Sequence, residues 1–478
     1  MKISGNGSHP RHSTENGGEG PYLGDDSFNL TDAGNGQRFA SQHGADVRYC
    51  YAWRKWIIWD GRRWQIDAKG NIEKRAKQTA RSIYLDAADA SNHEEARRLG
   101  KWAGVSESHS RLYAMLAAAK SESPLPILPE AFDNAPYLLN CENGTVDLRT
   151  GELRPHRRED FLMKLCPVAY PADPSIKPAR FLKFLDRIFA GDPHLIRFMQ
   201  RLLGLSLVGQ VIEQKLPIFH GSGANGKSTL IEVWCDILGP DFAMKASSNF
   251  LVVDKFGRHP TELTDLHGKR FVAAVETEDG ARLAESHVKG LTGGDTIRAR
   301  RMREDMWEFK PSHTLVLVTN HRPEVRGTDH ATWRRIVLVP FTVAIPESEQ
   351  DKNLIAKLRG EGPAILAWAV QGCLDWQQQG LEPPAVVARA TEDYRSESDA
   401  LGEFLAERCD ISPGAKVQAG RLYADYKAWV GRRSETAESQ TSFGRRIIER
   451  GHARRKSHGV MIYAGLSLKL DNAEVGGF

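Results

Sequence analysis

Four apolar runs in the middle of this chain have the length and composition of strands that are buried on both faces. Helical or loop segments separate these runs, and such alternation is typical of a parallel sheet covered on both sides. The pattern therefore predicts an α/β core with a largely parallel sheet. The four predicted strands are Leu216–Phe219, Phe271–Val275, Leu315–Thr319 and Ile336–Phe341.

Apolar residues at helical spacing flank this core on both sides. From Arg180 to Val208 they recur every three or four positions, which predicts a pair of helices leading into the core. The same spacing returns between Leu354 and Trp376, before the break at Pro383-Pro384. We therefore place the core and its flanking helices at residues 176–385.

The chain before the core has a mixed pattern. Residues 1–26 are rich in Gly, Ser, Asn and His with almost no large apolar groups, so we expect a disordered tail. Residues 27–175 are predicted to form an α+β domain. Its predicted elements are a β-hairpin over Tyr51–Trp64 turning at Asp60-Gly61, helices over Glu73–Ala87 and His109–Lys120, and a tight hairpin over Asn143–Leu153.

Tryptophan, arginine and lysine are interleaved in the first of these hairpins. We interpret this as a half-buried sheet with basic edges, and the alternative is a surface on which nucleic-acid bases stack.

The C-terminal part, residues 386–478, has the pattern of a small separate domain. Helical spacing over Arg421–Trp429 and Ser442–Gly451 is followed by a strand-like run, Val460–Leu466. Residues 421–469 carry eleven Lys/Arg and four acids, a net +7 that exceeds the +4 of the whole chain. Two helices and a wing with this charge predict a winged helix-turn-helix that binds DNA, with Arg445 and Arg446 as candidate contacts. The alternative is a packing or oligomerisation domain with a basic face.

The most specific motif follows the first predicted strand. Gly221–Ser228 reads G-S-G-A-N-G-K-S, which fits the phosphate-binding pattern G-x-x-x-x-G-K-[ST], and a helical run begins at Ser228. Glycines let several backbone N–H groups face one phosphate, and the helix N-terminus favours the negative charge. The motif predicts that the chain binds ATP with Mg²⁺. The expected binding residues are Gly221, Gly223, Asn225, Gly226, Lys227, Ser228 and Thr229.

Polar residues at the ends of two predicted strands supply candidates for hydrolysis. Glu276 and Glu278 follow the strand Phe271–Val275, where ligands bind in α/β sheets; we assign Glu276 to Mg²⁺ with Ser228, and Glu278 to the attacking water. Asn320 ends the next strand, and its amide can bond both the γ-phosphate and water. Each of these residues could instead be an ordinary solvent-facing or turn residue.

Two cationic segments complete the set. Arg334 and Arg335 precede the last predicted strand, and either could act as an arginine finger on a neighbouring subunit. Residues 288–305 read as a loop and then a hairpin tipped by Arg301–Asp305, suited to phosphate-backbone contacts. Its candidate DNA contacts are Lys289, Arg298, Arg300, Arg301 and Arg303. A basic strand edge and a solvated charged face are the plainer alternatives.

The order of these motifs resembles superfamily 3 helicases of the poxvirus and phage/plasmid primase-helicase type. The resemblance is carried by GSGANGKST, VETE, VKGLTGGDTIRARR and LVTNHRPEVRGTDHATWRR followed by IVLVPF, with NGTVDLRTGEL upstream. Many relatives place the two strand-end acids side by side, whereas Thr277 separates them here. Which of Glu276 and Glu278 binds Mg²⁺ and which activates water therefore stays open.

This resemblance implies an AAA+-like ATPase core that forms a hexameric ring around single-stranded DNA. It implies ATP-driven 3′ to 5′ unwinding of single-stranded or forked DNA in the replication of a phage, plasmid or other mobile element. We find no acid pair typical of nucleotidyl transfer, so we expect any priming to come from a separate primase or polymerase. A small-molecule P-loop kinase, and an ATP-controlled initiator or loader without unwinding activity, are the alternatives.

Composition excludes several other classes. No apolar run reaches the ~18–20 residues of a membrane span, and no apolar signal-peptide core opens the chain. The six cysteines form no C-x-x-C pair, which argues against a disulfide framework or a cysteine-rich zinc site. We therefore expect no membrane association and a cytoplasmic location, in the host cell if the protein is phage-encoded.

Overall fold

The structure, a computed structural model of the 478-residue chain, describes residues 28–253, 262–276, 280–300, 306–325, 330–433 and 437–469. The predicted tail lies outside these ranges. The chain divides into two compact units. The first comprises Met1–Ile58 and Gln65–Pro129, and the second comprises Trp59–Trp64 and Glu130–Phe478. The domain boundaries predicted from the sequence stay a prediction.

The first unit shares one apolar core between its helices and its sheet. Phe39, Val47, Ala76 and Met115, which come from three helices and a strand, are all fully buried in it. The sheet order is β3-β2-β1-β4, with β1 antiparallel to β2 and parallel to β4. Its elements are α1 (Asp32–His43), β1 (Val47–Cys50), β2 (Lys55–Trp59), β3 (Trp64–Ile66), α2 (Asn71–Ala88), α3 (His93–Ser106), α4 (His109–Ala119) and β4 (Pro126–Ile127).

These elements confirm the predicted hairpin and both predicted helices. The hairpin strands are β2 and β3, and the Asp60 carboxylate accepts from the backbone N–H groups of Arg62 and Arg63 in the turn. Helix α3 was not predicted. It buries only Ala103 and Ser106, so the sequence shows little helical periodicity there.

The second unit begins with a three-stranded antiparallel sheet and the predicted helical pair. Helix α6 packs closely on a later helix, because a Cβ atom on Gly204 would lie 2.2 Å from the backbone nitrogen of Cys373. The Asp192 side chain caps α6 by accepting from two backbone N–H groups. The elements are β5 (Leu138–Cys141), β6 (Gly144–Asp147), β7 (Glu152–Arg154), α5 (Ala179–Ile188) and α6 (Pro193–Leu205).

The central sheet has five parallel strands in the order β14-β8-β13-β10-β9. Alternate strand residues enter two different apolar clusters, with Val316 in one and Leu315 and Leu317 in the other, so both faces are buried. All four predicted strands are confirmed. The core elements are β8 (Leu216–His220), α7 (Lys227–Phe242), β9 (Ala243–Ala246), β10 (Phe271–Glu276), α8 (Glu285–Thr292), β11 (Ile297–Ala299), β12 (Trp307–Phe309), β13 (Thr314–Thr319), α9 (His330–Trp333) and β14 (Ile336–Pro340).

One local prediction in this core is wrong. Residues 288–292 were predicted as a loop, but they form the second half of α8. Val288, Leu291 and Thr292 are buried on one face of that helix, and this packing outweighs the glycine-rich sequence around them. The predicted hairpin that follows is confirmed in its strands, since β11 pairs antiparallel with β12, and its tip Arg301–Asp305 lies outside the described residues.

The C-terminal part of the second unit has its own apolar cluster, which includes Phe404, Leu422, Phe443 and Tyr463. The two predicted helices and the predicted strand are confirmed, and β15 joins them in an antiparallel sheet of order β15-β17-β16. The elements from the core onward are α10 (Leu354–Arg359), α11 (Gly362–Gln379), α12 (Ala385–Glu397), α13 (Ala400–Arg408), β15 (Cys409–Gln418), α14 (Ala419–Arg432), α15 (Gln440–Glu449), β16 (Arg454–Ser457) and β17 (Val460–Leu468).

Short 3-10 helices lie at Pro129–Ala131, Arg158–Asp160, Glu262–Leu266 and Glu347–Glu349. Among the described residues, no helix is both long enough and apolar enough to cross a bilayer.

Candidate functional site

The glycine-rich segment forms the turn between β8 and α7, and two of its glycines have no substitute. Gly226 has a φ of 83°, and a Cβ atom there would lie 2.5 Å from Ile188 Cγ2. A Cβ atom on Gly221 would lie 2.1 Å from the Phe341 carbonyl oxygen. Ser222 and Gly223 are exposed, so the outer side of this loop is open to a ligand.

Contacts to the segment after β14 hold the loop in this shape. The buried Asn225 side chain donates to the carbonyl oxygens of Phe341, at 3.3 Å, and of Ser222. The backbone N–H of Ile345 donates to the Ala224 carbonyl at 2.8 Å. Asn225 therefore shapes the loop from the inside, which the pattern of the motif did not reveal.

Lys227 is buried at the start of α7 and binds three oxygens. Its Nζ donates to the Gly221 carbonyl, to Asn225 Oδ1 at 3.1 Å and to Asn320 Oδ1 at 3.2 Å. All three acceptors are neutral, and burial lowers the pKa of the ammonium group to about 8. An anion placed beside this lysine would favour the charged form. Ser228 follows it exposed and Thr229 half-buried in the first turn of the helix.

The carboxyl ends of three neighbouring strands form one row next to the loop. Glu276 pairs with Thr319, and Thr319 pairs with His220, in the register of the parallel sheet. The next residues along the chain are Asn320 and Gly221, which brings the amide of Asn320 to Lys227. The backbone of Glu276 lies in the same row, whereas its side chain and all of Glu278 are outside the described residues.

Two further features of this row bear on ligands. Burial, with the nearby cations Arg322 and Lys227, lowers the pKa of His220, so its imidazole is neutral at neutral pH. Sequence reasoning missed His220, because it is simply the last residue of an apolar strand. In the described part of the chain no group of three or more His, Cys, Asp and Glu could hold a metal ion. A nucleotide-bound Mg²⁺ needs fewer protein ligands, since phosphate and water supply the others.

The adjacent arginines before β14 have different surroundings. Arg335 is 7% exposed and donates to the Ala331 carbonyl at 2.6 Å, to Thr292 Oγ1 at 3.2 Å and to Gln214 Oε1 at 3.3 Å. Arg334 is exposed and donates to the same Gln214 oxygen at 2.9 Å. Gln214 Oε1 therefore accepts hydrogen bonds from both guanidinium groups, and no sequence motif marked this residue.

The candidate DNA contacts of the core are only partly described. Lys289 is half-buried on α8, and Arg300 is exposed just after β11. Arg298 is exposed and forms an ion pair with Glu308 across the hairpin at 3.0 Å. Arg301 and Arg303 lie outside the described residues.

The two candidate arginines on α15 also differ. The Arg446 side chain is 13% exposed and forms ion pairs with Glu438 at 2.8 Å and Asp399 at 3.6 Å. The Arg445 side chain is 73% exposed, with only a 3.8 Å contact to Glu449. Arg446 therefore serves packing within the chain, and Arg445 is accessible to a partner.

Known proteins match both parts of this arrangement. Residues 36–190 match the family described as D5 N terminal like, and residues 219–335 match one described as Family of unknown function (DUF5906). "Putative helicase L207/L206" of Acanthamoeba polyphaga mimivirus is 28% identical over 62% of this chain and 33% of its own length. "Putative primase C962R" of African swine fever virus is 23% identical over 63% of this chain and 34% of its own length.

These matches support a superfamily 3 primase–helicase type for this chain. It spans about a third of the length of the curated relatives it matches. The second matched segment begins in β8 and ends at Arg335, so it contains the glycine loop, both strand ends and the arginine pair.

One solved structure shows a weaker likeness. "The A form apo structure of NrS-1 C terminal region-CTR(305-718)" has a TM-score of 0.48 and 12% identity, covering 91% of this chain and 100% of that chain. A score of this size carries no inference about function.

Proposed function

We propose that this chain is an ATP-dependent DNA helicase that translocates on single-stranded DNA as a hexameric ring, in the 3′ to 5′ direction. The contact between Lys227 Nζ and Asn320 Oδ1 carries the proposal, because it joins the glycine loop to a polar strand end 93 residues away. A triphosphate on the loop would lie against both groups, with the lysine on its phosphates and the amide beside the γ-phosphate.

The residues of the row fit ATP with Mg²⁺. The Ser228 hydroxyl and the Glu276 carboxylate would hold Mg²⁺, whose chemistry is to neutralise charge that develops on the transferred phosphoryl group. Asn320 would orient the attacking water, together with Glu278 or Glu276. The five-stranded parallel sheet, with the loop at the carboxyl end of β8, supports an AAA+-like ATPase core.

The arginine pair supports action between subunits. Arg334 is exposed before β14 and would reach a nucleotide bound to a neighbouring subunit, whereas Arg335 is buried in its own chain. A site completed by a neighbour requires an oligomer, for which we propose a ring of six.

Two regions are proposed to contact DNA. Arg300 and the other cations of the β11–β12 hairpin would contact the backbone of single-stranded DNA in the ring. The sheet β15-β17-β16 with α14 and α15 supports a winged helix-turn-helix, in which Arg445 and the exposed Arg454–Lys456 region face DNA. A separate primase or polymerase would supply priming.

Replacing Lys227 tests this function. Lys227→Ala should abolish DNA-stimulated ATP hydrolysis and strand displacement on a forked substrate, because the phosphates lose their buried cation. The matched control is Lys245→Ala, since Lys245 lies on β9 and pairs with Glu232 at 3.6 Å. That variant should retain both activities.

The outcomes separate the alternatives. Unwinding by Lys227→Ala at the wild-type rate would contradict the motor. Hydrolysis by the wild type that DNA does not stimulate would favour a small-molecule kinase, and DNA binding with hydrolysis but no strand displacement would favour an initiator.

A further inference from the structure

A row of aromatic rings runs from the core of the first unit to its surface. Phe39 is fully buried, and its ring centroid lies 6.0 Å from that of Trp56. Trp56 is 4.9 Å from Tyr49, and Tyr49 is 4.9 Å from Tyr51. Tyr51 ends the row with 54% of its surface exposed. We call these four residues the ring row.

The strand register explains why the rings align. Tyr49 pairs with Trp56 across β1 and β2, so both point to the same face of the sheet. Tyr51 follows the last residue of β1, and its ring contacts that of Tyr49. The inner end of the face packs on α1 through Phe39. At its outer end the Tyr51 carbonyl accepts from the backbone N–H of Arg54 at 3.2 Å, in the turn between β1 and β2.

Three cations lie next to Tyr49 or at the turn that follows Tyr51. Lys120 Nζ lies 4.7 Å from the centre of the Tyr49 ring, and Arg54 and Lys55 are exposed at the turn. Residues 28–58 and 65–129 contain fourteen Lys/Arg and ten Asp/Glu. The unit is therefore cationic, and anions are favoured at this end.

We propose that the exposed end of the ring row binds single-stranded nucleic acid, with an unpaired base stacked on Tyr51 and phosphates beside Arg54 and Lys55. An exposed ring next to flexible cations suits this partner, because stacking needs a base free of its duplex and the cations need a charged backbone. A duplex offers the phosphates but hides the faces of its bases. This surface is distinct from the β11–β12 hairpin and does not depend on ATP.

The test is the affinity of the full chain for a short fluorescein-labelled oligothymidine, measured by anisotropy without nucleotide. Tyr51→Ala should weaken binding about fivefold or more, the loss expected for one stacked base. Tyr51→Phe should bind like the wild type, because it retains the ring. Arg54→Gln should reduce the salt dependence of binding by about one phosphate contact.

Tyr113 provides the matched control, since it is 55% exposed on α4 in the same unit. Tyr113→Ala should leave the affinity unchanged. Wild-type affinity of Tyr51→Ala would overturn the proposal, and so would an equal loss in Tyr113→Ala. A protein partner for this surface would give the first of these results.

The same titrations in the Lys227→Ala background separate this proposal from the motor. If Tyr51→Ala weakens oligothymidine binding in that background, and the wild-type chain shows no ATP-driven unwinding, the stacking surface is supported and the motor is refuted. Normal unwinding by Tyr51→Ala with unchanged oligothymidine affinity would refute the stacking surface alone.

Discussion

Replacing Arg335 should destabilise the chain, and replacing its neighbour Arg334 should not. Arg335 is 7% exposed and donates to three oxygens, so Arg335→Ala leaves three acceptors without this donor. Thr292 is the buried residue among these acceptors, whereas Ala331 is exposed and Gln214 keeps its hydrogen bond from Arg334. A buried acceptor left unpaired costs about 1–3 kcal/mol, so we expect the free energy of unfolding to fall by about 1–3 kcal/mol. Arg334 is exposed and gives one hydrogen bond to Gln214, so Arg334→Ala should cost about 1 kcal/mol or less.

The assay combines urea unfolding, followed by far-UV circular dichroism, with ATP hydrolysis in mixed oligomers. Arg334→Ala should unfold near the wild-type midpoint yet lower the hydrolysis of added wild type by more than dilution, because an inert finger disables a neighbour's site. Arg335→Ala should unfold at clearly lower urea concentration. Equal midpoints for the two variants, or simple dilution by Arg334→Ala, would refute the division of roles.

Three further predictions concern the glycine loop and the candidate DNA-binding helix α15. Burial lowers the pKa of Lys227 to about 8, and a bound triphosphate would raise that pKa. ATP binding should therefore take up a proton and weaken as the pH rises above about 8, which calorimetry in buffers of different ionisation enthalpy measures. An affinity for ATP that stays the same from about pH 7 to 10 would contradict this prediction. Gly226→Ala should abolish ATP binding in equilibrium dialysis, whereas Gly223→Ala, whose added methyl meets nothing within 4 Å, should retain it. Arg445→Ala should weaken DNA binding and lower its salt slope by about one without changing stability, whereas Arg446→Ala should lower the thermal midpoint of the chain.

The sequence was sufficient for features that depend on near neighbours. The apolar runs predicted the strands of the central sheet, because strands buried on both faces have few polar positions. The motif located the glycine loop, since its backbone requirements are local. Asn320 could be proposed as a residue for the γ-phosphate and the attacking water, because it ends a strand of the same parallel sheet and ligands bind at the carboxyl ends of such strands.

Features that depend on distant partners could not be predicted. Arg335 and Arg334 look equivalent along the chain, yet only Arg335 is buried against Thr292 and Gln214, which lie 43 and 121 positions away. No local pattern marks such a contact. Arg446 is a similar case, because its acidic partner Asp399 precedes it by 47 residues in the sequence.

Gln214 connects the arginine pair to the basic hairpin. Its Oε1 accepts from both arginines, and its Nε2 donates to the Gly293 carbonyl at 3.3 Å, just after α8 ends. Arg335 reaches the preceding Thr292 directly. From Gly293 the backbone continues into β11, the strand that carries Arg298. Gln214 therefore links the proposed finger, by hydrogen bonds, to the segment that leads into this strand. Under the proposed function, a nucleotide that draws Arg334 away from Gln214 releases one end of this link. Gln214 Oε1 would then accept from Arg335 alone, while its Nε2 would still be placed to donate to the Gly293 carbonyl next to α8.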